Sequence, residues 1–293
     1  MSGFAKSNID FRPHRRTMAT ISFAARTDPG KQRSNNEDCY LCSNDLDLWL
    51  VADGMGGHNC GEVASQIAID TVAEAVEKNT PLTEAIHQAH DAIRQQSQAN
   101  PEQEGMGTTL VAVHNQGQEY QIGWVGDSRI YRWNSTRVPP FQQLSRDHSF
   151  VQELLESGLI TQQEADNHPQ RNIITQSLGC PLEVLRVDAD TLSWQPGDTL
   201  LLCSDGLSDE LCDEEIQSLL EQPVPSQALV DDLVEAALAR GGKDNITVVI
   251  LRADTLSPQP APPSDNRYAH YAPRLLAVLA LLLCLLYLSQ GGA

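Results

Sequence analysis

The sequence predicts an α+β fold, and three observations carry that reading. Strand-like runs follow one another directly through residues 107–134, then give way to helical periods and return to strands, where a doubly wound sheet would alternate the two. Hydrophobic residues make up 41% of the 293, enough for a sizeable core and too many for wholesale disorder. Turns containing Asp, Asn and Gly punctuate the apolar runs, and no repeat of solenoid length is present.

In chain order, residues 21–26 read as a short strand, and residues 39–43 with 46–52 as a hairpin turning at Asn44 and Asp45. Val63, Ile67, Ala68, Val72, Ala75 and Val76 recur at a helical period and predict a helix over 61–78. A second helix over 82–98 starts after Pro81 and carries Ala85, Ile86, Ala89, Ala92 and Ile93. Strands are expected at 107–115, 119–125 and 128–134, then two short helices at 149–157 and 161–168 in a polar stretch. Strands at 199–203 and 245–252 enclose helices at 213–221 and 226–240. One compact domain over residues 20–254 follows.

The ends differ in character. Residues 1–19 are basic, polar and aperiodic, and read as a disordered arm, with Met18 as an alternative start. Residues 255–272 include the string SPQPAPPSDN and read as a Pro-rich linker. Residues 275–288 are uncharged and nearly all apolar, fourteen in number, against the roughly 20 that usually cross a bilayer. An apolar helix with nothing obvious to pack against predicts a C-terminal membrane anchor over 273–293, with Arg267 and Arg274 on the cytoplasmic side.

Acidic residues outnumber basic ones 39 to 20, for a formal charge of −19. That excess repels phosphate backbones and argues against nucleic acid as a partner. Seven cysteines without a secretory signal predict a reducing, cytoplasmic setting. Cys39 and Cys42 lie three apart in a strand, so they face opposite ways and do not form a zinc or redox pair.

Three apolar runs end at an aspartate expected in a tight turn: Asp53 before Gly54, Asp205 before Gly206, and Asp127 before Ser128. A fourth, Asp244, stands just before an apolar strand. Singly, Asp-Gly is ordinary turn chemistry, since Asp caps the turn and Gly accepts a positive φ. Gathered at one rim, four carboxylates repel, and cations relieve them. Oxygen donors without Cys or His suit Mg²⁺ or Mn²⁺. Upstream, Arg33 offers a guanidinium fork for phosphate beside Glu37 and Asp38.

Seven strings occur together in order: RSNNED at 33–38, VADGMGGH at 51–58 with Gly61 and Glu62, GTT at 107–109, GDSR at 126–129, NIITQSLG at 172–179, SDGL at 204–207 and GKDNIT at 242–247. With them the chain resembles the bacterial PPM, or type 2C, metal-dependent serine/threonine protein phosphatases over about residues 22–252. The resemblance implies an antiparallel β-sandwich flanked by helices on both faces, αββα. It implies hydrolysis of phosphoserine and phosphothreonine by direct in-line attack of water, with two or three divalent cations, Mn²⁺ or Mg²⁺.

Position by position, it implies that Asp53 bridges two cations, that the Gly54 carbonyl contacts the second, and that Asp205 and Asp244 complete the first. Glu37 would reach the second cation, with Asp38 in support, and Asp127 with Asp205 would form a third site. Arg33 would bind substrate phosphate, and residues 146–170 would form a mobile flap. Two departures stand out: Met55 replaces a histidine that some members use as an acid, with His58 assigned to the loop, and Gln176 replaces a frequent arginine. The partners implied are phosphorylated proteins and a Ser/Thr kinase whose action is opposed, with the chain acting as a monomer. A phosphatase-like module that only binds, or a two-metal hydrolase of small phosphoesters, are the competing readings; retention of Asp53, Asp205, Asp244 and Arg33 weighs against the first and the ordered motifs against the second.

Overall fold

The computed structural model describes residues 17–56, 60–181 and 184–258. Its compact unit, Met18–Ser257, is built in the order β1 (Thr17–Asp28), β2 (Asp38–Ser43), β3 (Leu48–Met55), α1 (Cys60–Glu77), α2 (Leu82–Ala99), β4 (Gly107–Thr108), β5 (Leu110–Asn115), β6 (Glu119–Val125), β7 (Arg129–Trp133), β8 (Phe141–Gln143), α3 (Phe150–Glu156), α4 (Gln162–Asp166), β9 (Asp188–Ser193), β10 (Thr199–Cys203), α5 (Asp205–Ser208), α6 (Asp213–Leu220), α7 (Ser226–Arg240) and β11 (Ile246–Pro258). A single 3₁₀ turn, Pro101–Gln103, follows α2.

Two sheets form the centre, one ordered β1-β11-β10-β7-β8 and the other β2-β3-β5-β6-β9, with β4 paired to β3. Every register resolved within them is antiparallel. The apolar runs of β3, β10 and β11 are continuous because both of their faces are covered. In β3, Trp49 and Val51 face the other sheet, whereas Leu48, Leu50 and Ala52 face α1 and α2. In β10, Leu200 and Leu202 enter the same central layer, whereas Leu201 and Cys203 face α6 and α7 with Val248 and Ile250 of β11. Each such buried side chain contributes about 1.5–3 kcal/mol. The outcome is the helix–sheet–sheet–helix sandwich expected. Cys39 packs in the helix-facing layer and Cys42 in the central layer, on opposite faces as their spacing requires.

Several boundaries differ from the sequence reading. β1 begins at Thr17, inside the expected arm, and β11 runs to Pro258, into the expected linker. These two strands are neighbours, so each supplies backbone partners beyond the point where the side-chain pattern stops. The strand expected over 107–115 is two, β4 and β5, parted at Thr109, whose amide donates to the Asp53 carbonyl at 2.9 Å. β8 and β9 were not expected; both are short edge strands with few buried side chains. The rest of the expected linker and the anchor at 273–293, with its apolar helix, lie outside the described residues. Among the described residues no helix is long and apolar enough to cross a membrane.

Candidate active site

Antiparallel neighbours run in opposite directions, so the end of one strand and the start of the next share a rim. Asp53, near the end of β3, stands opposite Asp38 at the start of β2. Asp205 follows β10, and Asp244 precedes β11, its antiparallel partner. β6 ends at Val125 opposite Leu110, and Asp127 lies in the bend just beyond. These ends enclose a cavity of about 210 Å³ lined by Arg33, Glu37, Asp53, Gly54, Met55, Gly56, Thr109, Asp127, Asn172, Ile174, Asp205 and Asp244.

The glycines beside the aspartates have a different reason from the one the sequence suggested. Gly54 is not in a turn, since β3 continues through it to Met55, and Gly206 lies in the first turn of α5. Neither has a positive φ. A Cβ on Gly54 would lie 2.2 Å from the Gly61 carbonyl oxygen and 2.6 Å from that of Glu37, and one on Gly206 would lie 2.0 Å from that of Asn245. Both glycines are therefore required by close backbone approach at the rim.

Hydrogen bonds from motif residues hold the acids in place. The Asp53 amide donates to Thr109 Oγ1 at 3.1 Å, and the Thr108 hydroxyl donates to the Asp53 carbonyl at 2.8 Å. Ser204 donates to Asp38 Oδ2 at 2.7 Å, while its oxygen accepts from the Thr247 amide at 2.9 Å. Asn245 accepts from the Glu37 amide at 2.8 Å and donates to the carbonyls of Pro29 and Asn35, tying the 29–37 loop to the rim. Ser65 of α1 donates to the Glu37 carbonyl at 2.6 Å. At the mouth, Arg33 reaches Asp244 Oδ2 at 2.6 Å.

The electrostatics are those of crowded acids. Burial, then the charges of Asp38, Asp205, Asp127 and Asp244, hold the Asp53 carboxyl well above the usual range. Burial and the neighbouring Asp127 do the same to Asp205. Asp127 is pushed up to about 7 by burial and then by Asp147, and Asp38 to about 6, mainly by burial. Glu37 is raised by burial against the opposing pull of Arg33. One guanidinium faces five carboxylates in the cavity lining.

These residues fit divalent cations. Asp38 Oδ1 and Asp205 Oδ1 are buried with no hydrogen-bond partner, so each leaves a hard oxygen donor unspent at the rim. As the side chains stand, no three acids among the described residues enclose a single cation position. The fit therefore rests on the shared cavity, the orphaned oxygens and the uncompensated charge.

Of the residues singled out in the sequence, Arg33, Glu37, Asp53, Gly54, Asp127, Asp205 and Asp244 line the cavity, and Asp38 stands behind it. Met55 lines it too, while His58 lies outside the described residues. The expected flap at 146–170 contains α3 and α4, but the cavity wall comes from Asn172 and Ile174 just after it. Those two, with Thr109, were missed as lining residues although each stood inside a recognised string. Their roles depend on where the strings fold, which spacing alone does not specify.

Residues 30–247 match the protein phosphatase 2C family. The serine/threonine protein phosphatase PstP of Mycobacterium tuberculosis is 39% identical over 243 residues, covering 80% of this chain and 45% of PstP, so the chain spans under half the length of that relative. The serine/threonine phosphatase stp of Listeria monocytogenes is 36% identical over 242 residues, covering 78% of this chain and 94% of that protein. A crystal structure of the PstP catalytic domain in complex with two manganese ions superimposes with a TM-score of 0.70 at 36% identity, covering 79% of this chain and 97% of that one. The acidic rim, the sandwich that builds it and these matches place the chain in the protein phosphatase 2C family.

Proposed function

We propose that this chain is a divalent-cation-dependent protein serine/threonine phosphatase. The observation that carries the reading is the cavity, where five carboxylates and one guanidinium face a common space. A bare carboxylate wall would repel a phosphate dianion, so such a wall serves phosphate chemistry only with cations on it. Asp53, Asp205, Asp244, Glu37 and the Gly54 carbonyl are the donors for two ions, a number that the two manganese ions of the PstP domain support, and Asp127 with Asp205 for a third. When bound, Mn²⁺ or Mg²⁺ would lower the pKa of a bound water and neutralise phosphoryl oxygens.

The chain's own residues supply the rest. Arg33, half exposed at the mouth, presents a planar fork to the phosphate and shares its charge in the transition state. No Cys, Ser or His is among the described lining residues. The Thr109 hydroxyl is engaged by the Asp53 amide and by Ser128 at 2.7 Å. With the carboxylates taken up as cation donors, water is the nucleophile in this reading, attacking in line without a phosphoenzyme. Met55 cannot donate a proton, so the leaving serine or threonine oxygen takes one from water.

The expected result is phosphate release from a phosphothreonine peptide by the full chain with Mn²⁺, stopped by excess chelator and restored by Mn²⁺. Release that persists in chelator would overturn the cation dependence. No release by the folded, Mn²⁺-loaded chain would favour a binding module instead. The substrates proposed are phosphorylated proteins of a Ser/Thr kinase that this enzyme opposes, acting as a monomer. A cytoplasmic site of action is supported by the cysteines, none of which is in a disulfide among the described residues.

The C-terminal run at 275–288 supports a tether to the cytoplasmic membrane. In detergent-free fractionation the full chain should sediment with membranes and a chain lacking residues 273–293 should not. A truncated chain that still sediments would sink the tether.

A further inference from the structure

We propose that His148 is a positioning residue that fixes the Asp127 turn at the cavity and ties it to the cavity wall around Asn172 and Ile174. The proposal rests on the reading of Asp127 as a cation ligand.

His148 is 2% exposed and grips Gly126, the residue before Asp127, at two points. Its own amide donates to the Gly126 carbonyl at 2.9 Å, and its ring Nδ1 accepts from the Gly126 amide at 3.2 Å. An amide N–H can only donate, so Nδ1 carries no proton, and the ring is the Nε2–H tautomer. Nε2 then donates to Asp188 Oδ2 at 3.3 Å, and that carboxylate is itself held by the Arg186 guanidinium at 2.7 Å. Gly126 has φ +103° and no room for a side chain, since a Cβ would lie 2.6 Å from Thr109 Cγ2. Gly126 itself can carry no side chain to fix this side of the turn, and its clamp comes from His148 across the rim.

The same residue reaches the opposite wall. The His148 carbonyl accepts from the Thr175 amide at 2.7 Å, Ser149 bridges to Ile174, and the Phe150 amide donates to the Ile173 carbonyl at 2.8 Å. Next to it, Asp147 takes three hydrogen bonds from Arg129, at 3.1, 3.0 and 2.7 Å, on the far side of the Asp127 bend. Asp127 is thus bracketed by Gly126 and Arg129, both anchored on residues 147 and 148. Partners behind a ligand of this kind commonly set affinity by about 10–100-fold.

Two amides discriminate the role from simple packing. In His148→Asn the side-chain oxygen takes the place of Nδ1 and can still accept from Gly126, but Asp188 is out of reach. In His148→Gln the polar group falls at the depth of Nε2 and the Gly126 acceptor is lost. Calorimetric Mn²⁺ titration of the cation-free full chain should find the weakest site within about twofold of the parent in His148→Asn and at least about 10-fold weaker in His148→Gln. Equal binding by the two variants, strong or weak, overturns the proposal. Asp127→Asn is titrated alongside: if it binds Mn²⁺ like the parent, the reading of Asp127 fails whatever His148 does. The ¹⁵N shifts of His148 in the unsubstituted chain give an arm that no folding failure removes. They should report an unprotonated Nδ1, and a protonated Nδ1 overturns the proposal.

Discussion

Asp53→Asn should lower Mn²⁺-dependent phosphopeptide hydrolysis by at least about 10³-fold, the upper end of what loss of one electrostatic stabiliser costs. Asp53 is the carboxylate most hemmed in by others, with Asp38, Asp205, Asp127 and Asp244 all raising its proton affinity. An amide keeps the shape and the Thr109 contact but loses the charge that binds cations. The same substitution should make the cation-free protein more stable at pH 7.5. A carboxyl whose folded pKa is raised contributes fully only below its unfolded value of about 3.9, and that contribution fades as pH rises toward the folded value. The parent therefore carries a penalty at pH 7.5 that Asn does not, and the advantage of Asn should shrink on acidification toward pH 4. Each 1 kcal/mol recovered is worth about 2–4 °C of melting temperature in a domain of this size. Melting in chelator at both pH values, beside a phosphate-release assay, checks both parts. Unchanged activity would reject Asp53 as a cation ligand.

Gly54→Ala should be among the most destabilising single-methyl additions in the chain. The new Cβ would meet two backbone carbonyl oxygens, at 2.2 and 2.6 Å, and neither can swing aside as a flexible side chain would. Gly54 also receives α1 through Gly61, and its own amide donates to the Glu37 carbonyl at 3.2 Å. A loss of about 3 kcal/mol or more is expected, or roughly 6–12 °C. Mn²⁺ should recover little of it, because the clash pushes β3 away from the Glu37 loop and takes Asp53 with it. A melting temperature within about 2 °C of the parent would show that the rim relaxes and that close approach does not explain the glycine.

Much of the candidate site was legible because its acids sit next to apolar runs, and a run buried by the facing sheet on one side and by helices on the other is easy to read. The helices α1, α2 and α7 were legible for the same reason, each burying one periodic stripe. β9 was not. Its DADTLS sequence is almost wholly exposed, and it is a strand because its backbone completes the edge of β6. α5 escaped notice because four residues are too short for a period. Asn245, Ser204, Thr108 and Ser65 were visible as letters, but their tasks lie in hydrogen bonds to residues far away in the chain, such as Glu37 and Asp38.

By itself the sequence determined the α+β class, the apolar runs that form β3, β10 and β11, and the set of acids that a cation would need. Those follow from side-chain chemistry and local period. Only the tertiary structure decided why Gly54 and Gly206 must be glycine, where the cavity wall at Asn172 and Ile174 comes from, and how His148 reaches the Asp127 turn. Each of these is a contact between backbones or rings distant in the chain, and local pattern carries no term for such a distance.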